Sequence, residues 1–146
     1  MREWNVSFVS RISREDMFLD IAQTVSGRGT CSRASVGCVI VRDARIISLG
    51  YNGAPPGQPH CVHREGEAPG CEFAIHAEAN AIAYAARAGI STERATMFCT
   101  HSPCLKCAQL MLSAGITQVW WRTEYRIIDG VTLLRKAGVQ CVPYPK

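Results

Sequence analysis

A histidine, a carboxylate two residues later and a downstream cysteine pair constrain this chain more than anything else in it: His76-Ala77-Glu78 and Pro103-Cys104-Leu105-Lys106-Cys107. His76, Cys104 and Cys107 together supply three zinc ligands. Three protein ligands leave the fourth tetrahedral position open, which separates a catalytic zinc from a structural one. Water at that position becomes a nucleophile near neutral pH. Glu78 is not needed as a ligand and is left to carry protons. A thioredoxin-like redox pair would need no metal partner, and it leaves His-x-Glu unexplained. A lone Cys-x-x-Cys could also be half of a structural zinc knuckle or chance, and the conjunction with His-x-Glu is stronger than its parts.

Composition narrows the classes further. The 146 residues are 47% apolar, enough for one packed domain spanning 1–146. The formal net charge of +4 suits a small anionic ligand, and the chain lacks the lysine and arginine runs of a nucleic-acid surface. The opening MREWNVSFVSRIS has no apolar core of signal-peptide length, and no stretch approaches a membrane span. A cytoplasmic protein is expected. Eight cysteines in such a chain point to metal before disulfides. Cys38, Cys99 and Cys141 lie in apolar runs and read as buried small residues.

The elements follow from periodicity and stop signals. Ser13 caps a helix carrying Met17, Phe18, Ile21, Ala22 and Val25, which Gly27 stops. Val36 to Val41 and Arg45 to Tyr51 form a hairpin around a tight Arg42-Asp43-Ala44 turn. Gly53 to Gly70 is a glycine- and proline-rich loop. His76 to Ala88 is a helix with Gly89 after it. Thr96 to Thr100 is a strand, Cys104 to Ala114 a helix ending at Gly115, and Gln118 to Arg122 a strand. Asp129 to Ala137 is a helix stopped by Gly138, and Gln140 to Val142 a last strand. The order predicts an α/β fold, a mixed five-stranded sheet with helices on its faces. Both halves of the zinc motif then open helices, whose partial positive charge favours the thiolate of Cys104 and of Cys107.

Three segments carry a narrower resemblance: Gly50-Tyr51-Asn52-Gly53-Ala54-Pro55-Pro56-Gly57, His76-Ala77-Glu78-Ala79-Asn80-Ala81-Ile82 and Ser102-Pro103-Cys104-Leu105-Lys106-Cys107-Ala108. In order and spacing they resemble the deoxycytidylate deaminases, with the likeness running from about Phe18 to about Val142. The resemblance implies a three-layer α/β/α cytidine-deaminase-like fold and zinc-dependent hydrolysis of dCMP to dUMP and ammonia, feeding thymidylate synthesis. It also implies a homo-oligomer, usually a hexamer, with dCTP and dTTP as effectors and magnesium as their companion. Carried over residue by residue, His76, Cys104 and Cys107 hold zinc and Glu78 moves protons. Asn52 and Ala77 then belong with the substrate contacts, and Tyr125 with the pyrimidine ring. For Asn52 a turn role in an Asn-Gly bend is the competing reading. Arg33 is the candidate for the 5′-phosphate, with a solvated loop arginine as its competitor. Arg87 stands eleven residues past His76, about 16 Å along a helix at ~1.5 Å per residue. That distance suits Arg87 and Tyr84 to a subunit contact or an effector site.

Cys31, Cys61 and Cys71, with His60 and His63, cluster around the loop. Thiolates with an imidazole in four-fold coordination make a closed structural zinc site and fasten a loop with little apolar content. The resembled family often has a second zinc here, at positions matching Cys31 and Cys61. Cys71 and His63 complete the set, with His60 able to replace His63. Rival functions are a transfer-RNA adenosine deaminase, which needs a basic surface, a free-cytidine deaminase, and a noncatalytic zinc module, which has no use for Glu78.

Overall fold

The computed structural model describes residues 10–67 and 70–145. The reading of the chain's opening as lacking a targeting core falls mostly on residues 1–9, outside the described ones. The elements are α1 (Arg14–Ser26), β1 (Gly37–Arg42), β2 (Arg45–Tyr51), α2 (Ala77–Arg87), β3 (Thr96–His101), α3 (Leu105–Ser113), β4 (Gln118–Thr123), α4 (Asp129–Lys136) and β5 (Gln140–Pro143). Strand order is β2-β1-β3-β4-β5. β1 runs antiparallel to β2 and β3, whereas β3, β4 and β5 are mutually parallel. The parallel pairs are joined by α3 and α4, as crossovers between parallel strands require.

Alternation along the strands builds two cores. Val39, Val41 and Phe98 face one way and pack with Phe18 and Leu19 of α1. Cys38, Ile40, Met97, Cys99, Val119 and Trp121 face the other way, onto Ala77 and Ala81 of α2, Ala108 and Met111 of α3, and Val131 and Leu134 of α4. The result is three layers, α1 over the sheet over the other three helices. Cys38 and Cys99 are fully buried, and Cys141 is half-buried against the same core.

Capping explains the element ends. Ser13 Oγ accepts from Asp16 N–H at 3.0 Å and donates to the Asp16 carboxylate at 2.9 Å. Gly89, Gly115 and Gly138 follow their helices with φ of 69°, 76° and 86°, the left-handed stop that glycine adopts without strain. Gly27 differs from the expected glycine stop: its φ is −63°, and the chain leaves α1 through a right-handed turn. The hairpin turn is also one residue tighter than expected. Arg42 pairs with Arg45, leaving Asp43 and Ala44 as the turn at φ 51° and 59°. Both angles positive match the twist of the flanking strands.

Candidate active site

His76 and Cys104 are the N-cap residues of α2 and α3, both with extended backbone and neither using its side chain to cap. Each side chain is thereby turned out of its helix toward the other. Cys107, in the first turn of α3, points to the same place. The Sγ atoms of Cys104 and Cys107 both lie 3.4 Å from His76 Nδ1. That is close to the N···S edge of about 3.6 Å in a tetrahedron built from ~2.0 Å Zn–N and ~2.3 Å Zn–S bonds. The donor set and its spacing fit zinc, and all three ligand atoms lie within 4.8 Å of one another.

Tight packing holds the triad in place. Gly130, at the start of α4, rests on the carbonyl oxygens of Pro103 and Cys104, where a Cβ would collide with both. On the other half, Asn80 Nδ2 donates to Tyr51 O at 2.8 Å and ties α2 to the end of β2.

The two neighbouring thiols perturb one another in opposite directions. The neighbouring Cys107 thiol, with His76, draws the Cys104 pKa down to about 3 against the effect of burial. Cys107 is pushed upward, first by the neighbouring Cys104 and then by burial. Zinc held here would need both sulfurs as thiolates.

Glu78 is 4% exposed, and its Oε2 lies 3.6 Å from Cys107 Sγ. Burial raises its carboxyl above the ordinary value, against the lowering effect of its own backbone N–H and of His76. A carboxylate moved upward by dryness is suited to take and return protons near neutral pH.

The triad opens into a cavity of about 360 Å³ lined by Arg33, Asn52, Cys71, His76, Ala77, Glu78, His101, Ser102 and Tyr125 among others. It therefore gathers Arg33, Asn52, Ala77 and Tyr125 around Glu78. Asn52 is 6% exposed, and its side chain is engaged by backbone: Oδ1 accepts from Val36 N–H at 2.8 Å and Nδ2 donates to Ala34 O at 2.6 Å. The competing hairpin-bend reading is wrong, since Gly53 after it bridges Ile75 instead of turning a hairpin. Tyr125 is half exposed, and its N–H donates to Ser102 Oγ at 2.6 Å. Arg33 donates to Gly70 O and, at 3.4 Å, to Glu67 Oε2.

His101 was given no role from sequence, and Ser102 entered only as the first residue of the Ser-Pro-Cys segment. His101 closes β3 immediately before the Ser-Pro-Cys segment, and its Nδ1 lies 2.9 Å from Thr100 Oγ1. The available signal was position, because open α/β sheets place ligands at the carboxyl ends of their strands.

A second group brings together the ligand atoms of Cys31, Cys61, His63 and Cys71, again within 4.8 Å of one another. The imidazole that joins is that of His63, whose Nε2 lies 3.4 Å from Cys31 Sγ. His60 is exposed and lines a separate, wider depression of about 570 Å³ beside β2, together with Tyr84. Burial and the neighbouring thiols lift Cys61 to about 11. At Cys71 burial also pushes upward, but N–H donors from Ala74 and Phe73 outweigh it and bring the thiol to about 7.

Residues 12–123 match the family model for the cytidine and deoxycytidylate deaminase zinc-binding region. ComE operon protein 2 of Bacillus subtilis is 39% identical over 135 residues, covering 90% of this chain and 71% of its own. The deoxycytidylate deaminase of Schizosaccharomyces pombe is 35% identical over 92% of this chain, which spans only 45% of that longer protein. The crystal structure of dCMP deaminase from the cyanophage S-TIM5 in complex with dCMP and dUMP superposes with a TM-score of 0.85 at 32% identity, over 93% of this chain and 100% of that one.

Proposed function

The chain belongs to the cytidine and deoxycytidylate deaminase family, and we propose that it hydrolyses dCMP to dUMP and ammonia as one domain over 1–146. The observation that carries this reading is the buried Glu78 beside a three-ligand Cys/His set, in a cavity that also holds Arg33. The solved relative that contains dCMP and dUMP supports the choice of nucleotide.

His76, Cys104 and Cys107 hold the metal. Zinc, when bound there, supplies a Lewis acid that makes water nucleophilic near neutral pH. Glu78 takes one proton from the attacking water and delivers it to N3 of the cytosine as the new C–O bond forms at C4. It then moves the proton of the C4 hydroxyl to the amine, the C–N bond breaks and ammonia leaves. Asn52 and the Ala77 backbone position the nucleoside, Tyr125 lies against the ring, and Arg33 takes the 5′-phosphate. Asn52 has one amide hydrogen beyond its bond to Ala34, available to the sugar.

Cys31, Cys61, His63 and Cys71 hold a second zinc of the closed, structural kind. His63 Nδ1, on the far side of the ring from Cys31, lies 3.4 Å from Glu67, the outer-shell carboxylate such sites commonly use. By family resemblance the chain assembles as a homo-oligomer, with hexamer as the expected form. It responds to dCTP and dTTP with magnesium and works in the cytoplasm. No helix among the described residues is long and apolar enough to cross a membrane.

The test is release of ammonia from a panel of dCMP, deoxycytidine and a transfer-RNA anticodon stem-loop. The expected result is turnover of dCMP, with deoxycytidine at least ~10²-fold poorer in kcat/KM because a charged phosphate contact of ~3 kcal/mol is lost. Equal turnover of the two, or deamination of the RNA instead, contradicts the assignment.

A further inference from the structure

The loop cluster is not remote from the chemistry. Cys31 and Cys71 line the reaction cavity alongside His76 and Glu78, and so do Arg33 and Gly70. Arg33 follows the ligand Cys31 by two residues. Two of its partners, Glu67 Oε2 and Gly70 O, lie on the segment between His63 and Cys71. The arginine is thus bracketed by cluster residues along the chain and held by groups on the loop that the cluster closes.

Little else orders that loop. Between Gly53 and Ile75 the described backbone–backbone bonds are the Gly53–Ile75 pair and two local turns, Gln58 to Pro55 and Glu67 to Arg64. Glu67 touches both sides of the arrangement. Its Oε2 lies 3.4 Å from His63 Nδ1 and 3.4 Å from Arg33 Nη2, while His63 Nε2 faces Cys31. A single carboxylate oxygen therefore joins the cluster's imidazole to the guanidinium at the cavity wall.

We infer that Glu67 is a positioning residue: it aims Arg33 at the nucleotide's phosphate and makes that aim depend on closure of the Cys31/Cys61/His63/Cys71 cluster. The inference rests on the proposed second zinc and on Arg33 as the phosphate contact. It deepens that reading by giving the cluster a role in substrate affinity. Glu67 touches no reacting atom, so its effect belongs in KM and product affinity and not in the chemical step.

The experiment is a double-mutant cycle on the full chain, with Glu67→Gln, Arg33→Ala and the pair. For each variant the readouts are zinc per subunit, the kcat and KM for dCMP, and the Kd for dUMP by calorimetry. Glu67→Gln is expected to keep two zincs, raise KM and the dUMP Kd by ~2- to 5-fold as for a partly exposed ion pair, and leave kcat nearly alone. In the Arg33→Ala background the same change is expected to do nothing more, because its effect runs through that arginine. An equal increment in both backgrounds overturns the inference, and so does loss of a zinc from Glu67→Gln, which would make Glu67 a ligand. A native ratio near one zinc with a fully coupled cycle defeats the second metal alone. A ratio near two with an additive cycle defeats Glu67 alone.

Discussion

The two Cys/His groups draw on the same side chains and are built in opposite ways. In one, His76 and Cys104 cap helices and Cys107 sits in a first turn, so every ligand is fixed by a regular element packed on the sheet. In the other, Cys31, Cys61, His63 and Cys71 all stand on irregular chain. Three ligands on rigid supports leave a coordination position for chemistry, with Glu78 buried beside it. A metal held by four loop ligands, as proposed for this group, would leave none and would tie together chain that has few backbone bonds of its own. The contrast teaches that ligand count and the stiffness of the support, more than ligand type, divide reaction from fastening.

Exchanging one thiol in each group breaks the comparison most sharply. Cys104→Ser is expected to lose one zinc and to cut dUMP formation by at least ~10²-fold, with little change in thermal midpoint, since a Lewis acid lowers the barrier by several kcal/mol. Cys61→Ser is expected to lose the other zinc and keep most of kcat. Its KM for dCMP rises, and its thermal midpoint falls by ~2–4 °C for each kcal/mol lost in a chain of this size. Metal analysis, kinetics and calorimetry on the two variants read all four quantities. Matching profiles would erase the distinction.

A smaller effect lies away from both groups and serves as their reference. Arg122 on β4 donates to Asp16 of α1 at 3.0 Å, and this bond, with that from Ser13, holds the Asp16 carboxyl below its ordinary 3.8. A lowered folded-state value means that the stabilisation is complete above the unfolded value and disappears as pH falls through the folded one. Asp16→Asn should therefore melt slightly below the native protein at pH 7. The gap should close below about pH 4, as thermal melts across that range will show. A gap that is constant with pH would place the effect elsewhere than in the ion pair.

The course of the chain was legible because its punctuation is local. Gly89, Gly115 and Gly138 mark helix ends through a conformation that only glycine adopts cheaply. The triad was legible because its spacing is chemical. What escaped depends on partners distant in sequence. The bonds from Asn52 to Ala34 and Val36 cross 16 to 18 residues, and the Arg33–Glu67 contact crosses 34. No local pattern announces either one.

The most direct measurement is dUMP formation by Glu78→Gln at saturating dCMP, with zinc determined on the same sample. Near-isosteric and uncharged, glutamine should leave fold and metal content as they are while turnover drops at least ~10²-fold, the low end for a lost proton carrier. Turnover close to native from a fully metallated variant would contradict the account.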